Sequence, residues 1–322
     1  MFNLLKLKVM SAYQKFIQLA DQVTNEVIEQ LEQGQVFWRK PWTSYGLPKN
    51  YVSGRYYEGF NAFFLNYLTD KKSFRTPYFL TYRQAKELGG HVKKGEKGSQ
   101  IIYWKVYAKS DTREGNGTTG ETQEVYQRRF VPFIWTVFNI DQVEGIEFTL
   151  PSVHERTELQ VIEACQEVVD QYPMPRPNVL HGGSQAYYAP FNDTVQMPEL
   201  SSFVSSQAYH ATLFHELIHS TGHQTRLNRF ADEEKAARFG DINYSKEELI
   251  AEMGASFLNA FTGIKAEVFE NSVAYLQGWA KKFKDDKTMI IYASTKAFKA
   301  ASYILNLQAE SNLAAEPTTM AA

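Results

Sequence analysis

The sequence predicts an α+β protein, with a small mixed first half and a mostly helical second half that carries a small sheet. Three observations lead there. Two alternating runs rich in β-branched and aromatic residues, IIYWKVYAK and RRFVPFIWTVFNI, lie in the first half, and a period of two marks strands with one face on a core. Long segments with apolar residues at helical spacing dominate after residue 205. Between these regions AYYAPFNDTVQMP reads as a hairpin turning at Phe191-Asn192-Asp193, because Asn and Asp tolerate tight-turn backbone.

Taken in order, Ser11–Gln33 places Phe16, Leu19, Ala20, Val23, Val27 and Leu31 on one helical face, and Gly34 stops it. An aromatic, Pro- and Gly-punctuated stretch follows, whose second half from about Gly59 can become a helix. Thr81–Leu88 is a short helix closed by Gly89-Gly90. HVKKGEKGSQ turns into the first strand, and Ser110–Glu124, polar and rich in Gly and Thr, is expected to be an exposed loop before the second. Helices are expected at Glu155–Gln171, Ser206–Ser220, Lys246–Thr262, Glu267–Lys284 and Thr288–Gln308. The expected division is 1–148, 149–308 and a frayed tail at 309–322.

Composition narrows the class. The chain has 322 residues, 43% hydrophobic and 22% charged, values of an ordinary globular protein and not of a fibrous or disordered one. No run of eighteen apolar residues exists, so no membrane helix and no membrane partner are expected. The single cysteine, Cys165, excludes an internal disulfide framework and a Cys-based zinc cluster and suits the cytoplasm. The apolar start MFNLLKLKVM lacks a small-residue cleavage site, which argues against a signal peptide. Charge is divided unevenly. Residues 1–145 hold 20 Lys+Arg against 14 Asp+Glu, net +6, and the remainder 14 against 22, net −8. A chain with a basic first half and an acidic second half is expected to divide its functions the same way.

The sharpest motif is His215-Glu216-Leu217-Ile218-His219. Residues four apart share a helix face, so both imidazoles can hold one metal ion. Glu216 follows the first ligand and can act as base toward a water on that ion. Catalytic zinc takes three protein ligands. His223 is one candidate, although Gly222 is expected to end the helix and turn it aside. The stronger source is EELIAE, where Glu248 and Glu252 share a face. One can bind metal while the other orients an imidazole.

HELIH followed by ELIAE resembles the glutamate-type zincin metallopeptidases. That resemblance implies Glu248 as third ligand, Glu252 behind it, zinc as the ion (manganese being compatible), and an oxyanion-stabilising role for Tyr244. The longer string AYYAPFNDTVQMPELSSFVSSQAYHATLFHELIHSTGHQTRLNR is similar to the ArdC-type antirestriction proteins of conjugative plasmids. Further matches are EELIAEMGASFL, Trp38-x-Lys40-Pro41-Trp42, Tyr57-x-Gly59-x-Asn61 and Gly89-Gly90-x-Val92-x-Lys94-Gly95-Glu96-Lys97-Gly98. Ser220 departs from the family pattern, which often has Trp there. The family implies a single-stranded-DNA-binding first domain and a zincin-like metallopeptidase second domain that together protect incoming DNA from restriction.

The residues of the first half support DNA binding independently. Between Arg39 and Lys109 lie 14 basic and 4 acidic residues, interleaved with aromatics able to stack on bases. Trp38, Trp42, Tyr56 and Tyr57 lie in loop-like sequence, with Lys40 and Asn61 in the same motifs, and Lys93, Lys94 and Lys97 sit on a Gly turn suited to phosphates. The expected partners are therefore single-stranded DNA and a host or restriction-system protein as peptidase substrate. The alternative is a non-catalytic DNA shield whose metal site is structural. A zinc deaminase is disfavoured because it needs Cys ligands.

Overall fold

The computed structural model describes residues 2–36, 45–114, 122–151, 156–230, 242–265 and 273–307. Helix α1 spans Phe2–Glu32 and buries Leu19, Val23, Val27 and Leu31. It begins nine residues before the expected Ser11, since Leu, Lys and Met are good helix formers and no Gly or Pro interrupts them. Strand β1 (Lys49–Asn50) runs parallel to β2 (Tyr78–Thr81), with α2 (Phe60–Lys71) between them in sequence. The short helix α3 (Tyr82–Glu87) starts on a reciprocal cap in which Thr81 and Gln84 each accept from the other's backbone N–H.

Strands β3 (His91–Val92), β4 (Ser99–Glu114), β5 (Thr122–Asn139) and β6 (Val143–Glu144) complete the first half. The main sheet has the order β1-β2-β5-β4, and β3 pairs with β6. The β4–β5 register runs unbroken from Ser99↔Val137 to Glu114↔Thr122. Of the loop expected over Ser110–Glu124, residues 110–114 and 122–124 are strand, because Tyr126 and Val125 pair with Ser110 and Asp111, and Thr112 and Thr122 continue the ladder. Gly90 is required by packing, for a Cβ there would stand 2.4 Å from Ile146 and 2.6 Å from the Glu144 carbonyl.

The second half begins with α4 (Glu158–Asp170) and a three-stranded sheet of β7 (Asn178–His181), β8 (Tyr187–Ala189) and β9 (Thr194–Met197) in the order β7-β9-β8. Asp193 turns the β8–β9 hairpin at φ 50°. Four helices follow: α5 (Ser206–Ser220), α6 (Ile242–Thr262), α7 (Val273–Asp285) and α8 (Met289–Ile304).

The two halves share one apolar core. Helix α1 packs on α7 and α2 on α8. The rings of Phe63 on α2 and Phe257 on α6 meet with centroids 4.0 Å apart, and the buried Thr24 hydroxyl donates to the Lys287 carbonyl at 2.7 Å.

Candidate metal centre and nucleic-acid surface

Helix α5 is fixed at its start by Ser205, whose hydroxyl accepts from the Ala208 N–H at 3.1 Å. Phe214, Leu217 and Ile218 turn its apolar face inward. That leaves His215 and His219 together on the other side, with Nε2 atoms 3.1 Å apart. Helix α6 lies close because it presents Gly254 to α5, where a Cβ would come within 2.7 Å of Ile218. The approach brings Glu248 between the imidazoles, its oxygens 3.6 Å from His215 Nε2 and 3.5 Å from His219 Nε2. One ligand atom from each of the three residues falls within 4.8 Å of the others. Two imidazoles and a carboxylate, all half-buried or better, are the donor set of a tetrahedral divalent site with one position open.

Glu247 and Arg229 carry a role that the sequence reading did not give them. Glu247 accepts from His219 Nδ1 at 3.2 Å, a bond that leaves the Nε2 lone pair facing the cluster. Arg229 grips the same carboxylate through two bonds, Nη2 to Oε1 at 2.6 Å and Nε to Oε2 at 3.1 Å, and also donates to Thr221 and to the Ile218 carbonyl. Successive helix residues differ by about 100° in direction. Glu248 therefore meets one ring nitrogen of His219 while Glu247 reaches the other. Burial disfavours both charged forms, but the pairing prevails. Glu247 is held below the usual carboxylate range, mainly by the Arg229 charge, and His219 is raised by Glu247 and its neighbours.

The remaining expected residues are placed differently. Glu216 is buried on α5, and its charge acts on His219. Glu252 lies one turn beyond Glu248 and accepts from the Tyr275 hydroxyl of α7. Lys282 of the same helix is lowered by burial, against the opposing charges of Glu248 and Glu252. The Nδ1 of His223 is occupied by the hydroxyl and N–H of Thr225 at 2.9 and 3.3 Å, and His223 is not part of the three-residue cluster. Tyr244 belongs to α6, and its side chain lies outside the described residues.

In the basic half, Trp38, Lys40 and Trp42 also lie outside the described residues. Tyr56 is exposed, with the Lys49 ammonium 4.3 Å above its ring. Tyr57 packs on Phe79, and burial pushes its hydroxyl up to about 12 despite a hydrogen bond from Asn50. The Asn61 amide makes two bonds to the backbone of Ile102, at 2.7 and 2.9 Å, on the β4 edge. Tyr57 and Asn61 thus help hold the fold. Lys93 donates to the Asp141 carbonyl at 2.7 Å, while Lys94 and Lys97 stay exposed on their turn.

Residues 174–296 match the family model described as a zincin-like metallopeptidase, and residues 17–138 match the N-terminal domain of anti-restriction factor ArdC. Crystal structures of antirestriction ArdC from the R388 plasmid, metal-free and Mn(II)-bound, superpose with a TM-score of 0.65 at 35% identity, covering 89% of this chain and 97% of that one. The chain belongs to the ArdC antirestriction family. An uncharacterized protein of Sinorhizobium fredii, y4eC, is 31% identical over 88% of this chain and 90% of its own length. The DNA primase TraC of Escherichia coli is 33% identical over 88% of this chain, which spans only 19% of that protein. The second half is thus a zincin-like domain in an ArdC-family protein, and a metal site fits both its donor set and the Mn(II)-bound relative. Behind α5 the buried Ser220 hydroxyl lies 2.9 Å from that of Tyr172 and donates to the Leu217 carbonyl. Among the described residues no helix is long and apolar enough to cross a membrane.

Proposed function

We propose that this protein binds single-stranded DNA through its basic half (1–148) and hydrolyses a peptide bond at a zinc site in its second half (149–308), and that together these protect a mobile element's incoming DNA from restriction. The observation that carries the reading is the convergence of His215, His219 and Glu248 beside Glu216. These three residues would hold the ion. Zinc suits two imidazoles and a carboxylate, and manganese is compatible with them. When bound, it supplies Lewis acidity to a carbonyl oxygen. Glu216 takes the proton from the attacking water and returns it to the leaving amine. Glu247 and Arg229 keep His219 in the productive tautomer, and Tyr244 is assigned to donate to the oxygen that gains charge. The substrate would be a host or restriction-system protein.

The test compares wild type, Glu216→Ala and a Tyr56→Ala/Lys94→Ala/Lys97→Ala variant in cells receiving restriction-sensitive DNA, with mass spectrometry of host proteins alongside. Loss of protection in Glu216→Ala, with a host protein cleaved only by wild type, supports the peptidase. Full protection by Glu216→Ala would leave a DNA-binding shield and remove hydrolysis from the function.

A further inference from the structure

The β4–β5 ribbon exposes more aromatic surface than a solvated hairpin needs. Tyr103, Trp104, Phe130, Phe133 and Trp135 are all exposed, Trp135 to 55%. The paired stretches 99–109 and 127–137 carry Lys105, Lys109, Arg128 and Arg129 and no carboxylate. Beside the ribbon runs an open groove of about 730 Å³. One wall is α1, with Lys15, Gln18 and Gln22 a helical turn apart, and the other is the ribbon, with Gln100, Phe133 and Thr136. Among the described residues, no acidic side chain lines it. The walls are tied together, because the Tyr13 hydroxyl donates to the Phe130 carbonyl at 2.5 Å and Phe16 meets Trp104 edge-on at 5.3 Å.

The register puts Gln100, Trp104, Phe130 and Thr136 on the ribbon face toward α1, and Tyr103, Lys105 and Trp135 on the opposite face. We infer that the groove and the ribbon face that lines it are the track of a single-stranded DNA segment, an inference that rests on the DNA-binding reading above. The chemistry divides by position. Exposed rings offer faces to unpaired bases, and every base has a π-face, so stacking is tolerant of sequence. Glutamine amides and the Thr136 hydroxyl both donate and accept, as base edges do. Lys15 on the α1 wall answers the phosphates. A duplex hides base faces in its stack and cannot use the rings this way. Of the residues that the sequence placed in DNA binding, Tyr57 packs on Phe79 and the Asn61 amide is bonded to the β4 backbone, so these two are engaged within the fold.

The test uses the full chain and a fluorescein-labelled oligo(dT), read by anisotropy across a salt series. Phe130→Ala and Phe133→Ala should each weaken binding about tenfold or more without changing the salt slope. Lys15→Ala should lower that slope by about 0.7, the value of one phosphate contact with a single strand. An oligonucleotide carrying 5-iododeoxyuridine should crosslink on irradiation to peptides containing Phe130 or Phe133. All these side chains are at the surface, and an unchanged melting temperature confirms that folding is intact. If wild type binds oligo(dT) and the ribbon and groove variants match it while Lys94→Ala/Lys97→Ala fails, the track is overturned and the DNA-binding reading stands. If wild type does not bind oligo(dT), both fall. If light scattering shows a dimer of the free protein that Phe130→Ala dissociates, the ribbon is a self-association surface and the inference is wrong.

Discussion

Replacing Arg229 by Ala strands a carboxylate in the protein interior. The Arg229 side chain is 4% exposed and that of Glu247 8%, so water cannot take over the two bonds to the carboxylate. Removing one partner of a buried ion pair costs about 3–5 kcal/mol. Glu247 keeps its bond to His219, which puts the expected loss near the lower end, about 3 kcal/mol. For a chain of this size that is a fall in melting temperature of about 6 °C, at about 2 °C per kcal/mol. The assay is urea unfolding of chelator-treated protein, reading the midpoint at constant slope. The double variant Arg229→Ala/Glu247→Leu should recover much of the loss, with a coupling of about 2 kcal/mol, because it removes the orphaned charge. Glu247→Leu alone should weaken zinc binding by about 10–100-fold, since His219 loses the group that orients it. A loss below about 1 kcal/mol for Arg229→Ala, or simple addition of the single losses in the double variant, would refute the reasoning.

Three further outcomes follow from other parts of the molecule. His215→Ala and His219→Ala should abolish tight zinc binding by elemental analysis after dialysis, whereas Glu216→Ala keeps the full complement. Phe63→Ala should cost about 3–5 kcal/mol and lower one common unfolding transition, because its ring lies against Phe257 of the other half; two separate calorimetric peaks would contradict this. Burial alone would raise the Asp193 carboxyl, but its bonds to Arg226 and Tyr188 hold it below the usual carboxylate range. A depressed carboxylate stabilises above its unfolded pKa and loses that contribution as pH falls through the folded value. The melting-temperature gap between wild type and Asp193→Asn should therefore be present at pH 6 and shrink toward pH 3.

Some of this was legible in the sequence because local signals agreed with tertiary ones. Helix α5 has the expected ends, Ser206 and Ser220, because a capping serine, an apolar face and a following Gly all mark the same segment. The HELIH histidines converge because helical spacing alone places them on one face. Glu247 was not legible, since in EELIAE every carboxylate looks alike and its role depends on Arg229, eighteen residues away across α5. Four basic residues, Arg226, Arg229, Lys235 and Arg238, lie in the connection between α5 and α6, and nothing in their order singles out Arg229. Aromatic and amide side chains in loop-like sequence suit a ligand and a backbone edge equally well, and here Tyr57 packs on Phe79 while Asn61 bonds the Ile102 backbone. The strands of the ribbon reach past their apolar stretches, to Glu114 and Thr122, because cross-strand pairing outlasts the apolar pattern.

A core shared between α1, α2, α6, α7 and α8 also limits how genes can rearrange this protein. Recombination that separated the halves would leave Phe63, Phe257 and the apolar face of α1 facing water, and the fragments would be poor substrates for selection. The inheritable cassette is then the whole two-part unit, carried or lost together. The match to TraC has that form, with 88% of this chain aligned to a region within a protein of which it spans 19%. A fusion that takes in the basic half takes in the zincin-like half with it.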